Sequence, residues 1–495
     1  MHLLAPLELQ EPFWRYHGVV RAAEHSFLLD SAIGPERLGQ YSFIGGEPFL
    51  KFEARRRAGQ DLNADMTLVV RRGPDGAMHA PALRIEGVGD PFLELRGLLA
   101  AYRVGRDEYV EGVAPFLSGA VGYFGYEAGR FIEALPERVG VGSLGLPDLC
   151  LMFFDVLLVH CHRSGRSFLS VIGRGGDEAA ARREAVAVRD AWLGRIAAFV
   201  DEADAETGAG AVAVRAHFDE AGYCRAVEDV KQHIFAGDVY QVCLTHRLEA
   251  EFLGDPWALY GELRRVNPAP FASFLKVGGG VCVASSSPER FLRLDAEGVA
   301  ESRPIKGTRP RGRTPAEDEA LRAELEESIK ERAENTMIVD LVRNDLGRSC
   351  RFGSVHVPEL MAIEAYATVF QMVSTVRGAL ADGVDAVDLI RGCFPGGSMT
   401  GAPKIEAMKI IDRLEPVERG VYAGAIGYLD FAGPVDLSIV IRTLVVQDGR
   451  AYFSVGGAVV ADSEPRAEYQ ETMTKAQALI AALGRLAGGR SACGP

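Results

Sequence analysis

The chain has 495 residues, more than one compact core usually spans, with 48% hydrophobic and 25% charged residues and a formal charge of −14. That acidity argues against a nucleic-acid surface, which needs clustered Lys and Arg, yet a local basic pocket can still take a small anion. No stretch reaches the roughly 18 apolar residues of a membrane span, and Met1-His2-Leu3-Leu4-Ala5-Pro6 lacks the basic and apolar segments of a signal peptide. Eight scattered cysteines without a close-spaced framework predict reduced thiols and a cytoplasmic location.

In chain order, short apolar strands come first, among them Leu151-Met152-Phe153-Phe154 and Val156-Leu157-Leu158-Val159. His160-Cys161-His162 follows. Its histidines share one face of a strand, but no further Cys/His cluster lies nearby, so it is read as structural rather than as a soft-metal site. An Ala/Glu/Arg-rich stretch from Asp177 to Phe199 predicts a helix. The acidic, Gly-containing run Asp201 to Gly210 predicts an exposed connection. Residues 1–205 and 215–485 are therefore expected to form an N-terminal and a catalytic region. Strands and helices mix without regular βαβ alternation, which predicts an α+β fold.

The second region carries the chemistry. A helix is predicted from about Pro315 to Leu346, with Ile329, Ala333, Met337 and Leu341 as its apolar stripe. Glu327, Glu331 and Glu334 follow another line of that helix and repel one another unless a cation sits there. Phe394 to Lys404 is a Gly-rich turn before a helix with apolar Ile405, Met408 and Ile411 or Leu414; it does not match a P-loop. Tyr422 and Arg442 fall on strand-like apolar stretches, and arginine can grip a carboxylate bidentately. Ser454-Val455-Gly456-Gly457-Ala458 lets a ligand approach main-chain N–H groups closely. A last helix is expected to be capped by Asp462-Ser463, with Pro465 in its first turn, and to align Glu464, Glu468, Glu471 and Lys475 on one face. A lone E-x-x-E is commonly a solvated face. Two facing acidic helices could instead supply oxygen ligands to Mg²⁺.

Together these motifs resemble the chorismate-utilising enzyme family. The resemblance runs through Phe27-Leu28-Leu29-Asp30-Ser31, Gly237-Asp238-Val239-Tyr240-Gln241-Val242, Asn267-Pro268-Ala269-Pro270 and Ser287-Pro288-Glu289-Arg290-Phe291. It continues through Arg303-Pro304-Ile305-Lys306-Gly307-Thr308-Arg309, Ala333-Glu334-Asn335, Asp340 to Leu346, Gly401-Ala402-Pro403-Lys404 and Ala461-Asp462-Ser463-Glu464-Pro465. It implies a large two-sheet β-sandwich core with helices outside. Most branches of the family carry alanine at the position of Lys306; lysine there resembles the branch that aminates chorismate to 4-amino-4-deoxychorismate. Anthranilate synthase component I, which shares every motif except the lysine, is the alternative.

The resemblance implies a role for each matched position. Lys306 would attack C2 of chorismate covalently, and Glu289 would exchange a proton with the leaving C4 hydroxyl or the amine. Glu334 and Glu471, supported by Glu331 and Glu468, would bind Mg²⁺, which would hold the ring carboxylate. Arg442, Tyr422, Ser398 and the amides of Gly456 and Gly457 would hold the enolpyruvyl carboxylate, with Lys475 adding positive charge. Gln371 stands where many relatives have histidine; it can hydrogen-bond the substrate but cannot shuttle a proton. The usual Gly-Ala-Gly cradle reads Gly456-Gly457-Ala458 here. The sequence contains no G-x-C-x-G nucleophile stretch, so ammonia is expected from a separate glutaminase subunit or from solution. The Leu28-to-Ser31 and Asn267-to-Ala272 segments match the tryptophan-pocket motifs of regulated relatives in altered form, which predicts little tryptophan inhibition.

Overall fold

The computed structural model describes the chain apart from residues 32–37, 58–61, 75, 107–108, 110–113, 137–141, 202–207, 209, 367–368 and 488–495. Most of the expected 201–210 connection lies outside the described residues. Among those described, two 12-stranded sheets dominate, and all their pairings are antiparallel. The first sheet runs from His2–Leu7 through Val156–Cys161, His25–Asp30, Phe271–Gly278 and Val281–Ser287 to Arg450–Val459 and Gln241–Glu251. The second runs from Ile305–Pro310 and Val369–Ala379 through Arg290–Leu294 and Ala425–Asp430 to Gly119–Phe124, Leu149–Phe154 and Leu50–Arg56. Strands from before residue 205 and after residue 215 share both sheets.

Alternating side chains explain the stacking, because one face of each sheet can be apolar throughout. Phe27, Phe43, Leu157, Leu275 and Val283 of the first sheet meet Tyr123, Met152, Phe154, Ile426 and Tyr428 of the second. The outer face of each sheet packs on helices, with Trp192, Leu259 and Leu479 over the first and Ile338, Val339 and Val342 over the second. The α+β two-sheet sandwich expected from the sequence is thus the fold observed. The predicted strands at 151–154 and 156–159 lie in Leu149–Phe154 and Val156–Cys161. The predicted 177–199 helix is Glu178–Ala197, with Asp177 as its N-cap.

Four local expectations need correction. The long helix at 315–346 is two helices, Pro315–Glu327 and Ile329–Gly347, broken at Ser328, whose ψ of 109° is extended and whose hydroxyl caps the second helix at Glu331 N. Glu327 therefore does not continue the Glu331–Glu334 line. Nor does the stripe beginning at Ile329 face the core: Ile329 is 86% exposed, and Asn335, Ile338, Val339, Val342 and Leu346 are buried instead. Glu464 is not part of an acidic line either, because its carboxylate accepts the Ala467 N–H at 2.7 Å and so serves the helix start. Finally, Tyr422 and Arg442 sit between strands rather than on them, Arg442 at φ +52° between Val435–Ile439 and Thr443–Gln447.

Candidate functional site

Lys306 lies on the edge strand Ile305–Pro310, where a bulge at Gly307 interrupts pairing with Val369–Ala379; Lys306 opposes Met372 and Thr308 opposes Gln371. Gly307 has φ +80°, and a Cβ there would come within 2.8 Å of Leu325 and 3.1 Å of Glu331. Only glycine lets the strand turn this close to the acidic helix. The Lys306 ammonium stands 3.6 Å from Glu334 Oε2, both side chains being largely shielded from solvent. Lys330 lies 3.9 Å from the other Glu334 oxygen, and Arg309 pairs with Glu331 at 3.4 Å.

Glu289 reaches the same place from the loop between Val281–Ser287 and Arg290–Leu294. It is buried, and that burial pushes its carboxyl up to about 7, against hydrogen bonds from the Ser398 hydroxyl and Ile305 N–H and the nearby Lys306 charge. A carboxyl titrating there holds a proton near neutral pH and can release it, which is what a general acid requires. Ser398 is presented by the short turn Gly397–Met399. Arg419 fastens that turn, donating to Met399 O at 2.6 Å and Cys243 O at 2.7 Å while paired with buried Glu415.

The second acidic helix, Pro465–Ala487, approaches from the other side. Glu471 pairs with Lys475 at 2.7 Å, and Glu468 accepts from Ser463 Oγ at 2.7 Å. Burial disfavours the Glu471 carboxylate, but Lys475, Lys330 and Lys306 outweigh it and hold the group below the usual range. Two of those lysines also flank Glu334, so the two helices share one electrostatic cluster. Glu468 moves the opposite way, raised by burial, with Glu471 adding to the rise.

The glycine strand closes the space between these groups. Gly456 and Gly457 oppose Thr245 and Leu244 of Gln241–Glu251. On the other edge, pairing with Thr443–Gln447 ends at Tyr452, so no strand among the described residues covers the Gly456–Gly457 edge. Gly456 O accepts from Lys475 at 3.0 Å. A Cβ at Gly457 would stand 3.2 Å from Glu468 Oε2 and 3.7 Å from Glu471 Oε1. Oxygen donors around a space left by a missing side chain suit a small hard cation such as Mg²⁺. No three His, Cys, Asp or Glu side chains among the described residues already converge as a metal cluster, however. Each of the four glutamates is engaged by a neighbour of this chain instead.

Arg442 makes no ion pair among the described residues, although it is partly buried and burial holds its guanidinium below its ordinary value, with Tyr422 as the opposing neighbour. A desolvated cation without a partner is costly and marks a place for an anion. Tyr422 beside it is buried. Gln371 is buried too, and its Oε1 has no hydrogen-bond partner among the described residues.

Sequence reasoning did not find Lys330, Arg309 or the Glu415–Arg419 pair. The i,i+4 spacing of Glu415 and Arg419 was a visible signal, as was that of Lys330 and Glu334. Lys404 of the Gly401-to-Lys404 motif is structural, held by Asp345 at 2.8 Å and Cys393 O at 2.7 Å. His160 and His162 bond Ser167 and Ser42 at 2.8 Å each. Apart from this site, Leu29 to Ser31 and Pro270 to Ala272 meet on paired strands and line a cavity of about 510 Å³ between the sheets.

Comparison with known proteins agrees with the motifs. The model of the chorismate binding enzyme family matches residues 82–481. An aminodeoxychorismate synthase of Streptomyces griseus is 45% identical over 480 residues, covering 96% of this chain but 63% of that protein, so the chain spans under two thirds of that relative. Aminodeoxychorismate synthase component 1 of Bacillus subtilis is 36% identical, with 97% of this chain and 96% of that one covered. Anthranilate synthase component 1 of Acetivibrio thermocellus is 38% identical over 92% and 90% of the two chains. Among solved structures, anthranilate synthase component I from Streptococcus pneumoniae superposes with a TM-score of 0.73 at 28% identity, covering 89% of this chain and 92% of that one. The chain belongs to the chorismate binding enzyme family.

Proposed function

We propose that this chain aminates chorismate to 4-amino-4-deoxychorismate, using ammonia from a separate glutaminase subunit in the cytoplasm. The observation that carries the reading is Lys306, set between the buried Glu289–Ser398 pair and Glu334. Chorismate is a dianion. Arg442, Tyr422, Ser398 and the open Gly456–Gly457 edge would take its enolpyruvyl carboxylate, with Lys475 adding charge. Glu334 and Glu471, supported by Glu331 and Glu468, would hold Mg²⁺, which when bound supplies positive charge to the ring carboxylate. Gln371 would donate or accept one hydrogen bond to the substrate.

Neutral Lys306 attacks C2 with its lone pair, both ring double bonds shift one position toward C4, and the C4–O bond breaks. Glu289 gives its proton to the leaving hydroxyl, which departs as water. The alkylated amine then sheds a proton. Ammonia attacks C4, both ring double bonds shift back, and Lys306 leaves C2 with the proton from the new ammonium returned to its nitrogen. The balance is chorismate plus ammonia to 4-amino-4-deoxychorismate plus water, with the enzyme regenerated. A covalent route replaces one hard displacement by two easier ones.

The anthranilate synthase relatives support the second reading, in which amination occurs at C2 and pyruvate is lost. Lys306 argues against it, since it fills the position where ammonia would have to approach. Incubating the chain with chorismate, Mg²⁺ and ammonium, and identifying the product by mass, separates the two. Anthranilate as the main product would overturn the proposal.

A further inference from the structure

The four glutamates of the site carry four negative charges. Lys306, Lys330, Arg309 and Lys475 contact three of them and match that total. Arg309 is shared with Glu324, which it meets at 2.8 Å, so these four cations offset most but not all of the local negative charge. A divalent cation entering alone must displace Lys475 from Glu471, where it sits at 2.7 Å, and Lys306 from Glu334. It would also leave two ammonium groups beside a dication. A dianionic substrate entering with it cancels the added charge and offers the displaced lysines new carboxylates.

We propose that Lys306 and Lys475 are internal counterions that occupy the metal carboxylates until substrate arrives, so that divalent cation and dianionic substrate bind synergistically. This inference rests on the assignment of Glu334 and Glu471 as metal ligands. It gives Lys475 a positioning role: besides Glu471 it holds Gly456 O at 3.0 Å, so its release would also free that carbonyl. It also gives the nucleophile a restraint, because Lys306 stays tied to Glu334 while no cation competes for that carboxylate.

The test reads metal affinity rather than turnover, using the full chain in ammonia-free buffer and the paramagnetic signal of free Mn²⁺. Wild type should bind Mn²⁺ at least ten times more tightly with chorismate present than without it. Lys475→Met and Lys306→Met should each tighten binding of Mn²⁺ alone by about fivefold, the scale of one partly exposed ion pair, and should shrink the gain from chorismate. Lys475→Arg keeps the charge and should behave as wild type. Glu471→Gln should lose Mn²⁺ binding, which locates the ion. Unchanged or weaker Mn²⁺ binding in either methionine variant overturns the proposal, as does a wild type indifferent to chorismate or Mn²⁺ binding that survives Glu471→Gln. A wrong assignment of the reaction would appear in product analysis and leave the affinities for Mn²⁺ alone as they are.

Discussion

Glu289→Gln exposes the consequence of burying a carboxyl beside Lys306. In the folded chain this group titrates at about 7 instead of 4.5, because burial outweighs Ser398, Lys306 and the Ile305 amide. Between those two pH values the folded state holds a proton that the unfolded state has released. Stability from this group is thus full below about pH 4.5, and is lost as pH rises through about 7. Moving a carboxyl over that interval corresponds to about 3 kcal/mol. Denaturant unfolding of wild type and Glu289→Gln at pH 5 and pH 8 isolates the effect, since every other titrating group is common to both. Wild type should lose about 3 kcal/mol more than the variant on going to pH 8. The same titration sets the proton supply, so turnover should fall above about pH 7 in wild type and show no such limb in the variant's residual activity. If the two proteins keep parallel stability from pH 5 to 8, the carboxyl is not perturbed and its role as acid loses its physical basis.

Three further outcomes follow from the site. Glu471→Gln should weaken metal and chorismate binding while leaving the melting temperature close to wild type; full activity in excess chelator would contradict a metal role. The purified chain should turn over chorismate with ammonium but not with glutamine, and glutamine-dependent turnover by the chain alone would remove the need for a partner. Tryptophan should inhibit weakly, because Asp30 already accepts from Ser42, Tyr260 and Arg264 at 3.1, 3.2 and 2.6 Å and has little left for a ligand amine. Strong inhibition at micromolar tryptophan would refute this.

The fold was legible where one physical signal acted alone. The Leu149–Phe154 and Val156–Cys161 strands are built on continuous apolar runs, and both are interior strands paired on each side. The helix at 178–197 announced itself by an Asp cap and an Ala-rich body. Around Ser328 two signals competed. Pro315 to Leu346 has high helix propensity throughout, yet a serine placed three residues before Glu331 is also an N-cap, and tertiary packing favoured the break. The stripe was misread for a related reason: Ile338, Val339 and Val342 offer a second apolar face, and the sheet selects it because Ser374 on the neighbouring strand reaches buried Asn335. Lys306 and Glu289 were singled out through family motifs alone, whereas Glu334 and Glu471 were also marked by their helical spacing. Of the glutamates' cationic partners, Lys475 was aligned with Glu471 by helix spacing, whereas Lys306 and Arg309 reach Glu334 and Glu331 from the Ile305–Pro310 strand, which spacing along a helix cannot reveal. Arg442 was singled out, but its positive φ and its lack of an ion pair among the described residues are properties of a turn that only the assembled sheet creates.

The central claim is that Lys306 forms the bond. Chorismate and Mg²⁺ without ammonia should let a covalent species accumulate, seen by mass spectrometry as added mass on the peptide containing Lys306. Lys306→Ala should show no adduct, should still bind chorismate, and should make 4-amino-4-deoxychorismate far more slowly than wild type. A wild type without any adduct, together with a Lys306→Ala variant that keeps wild-type turnover, would contradict the account.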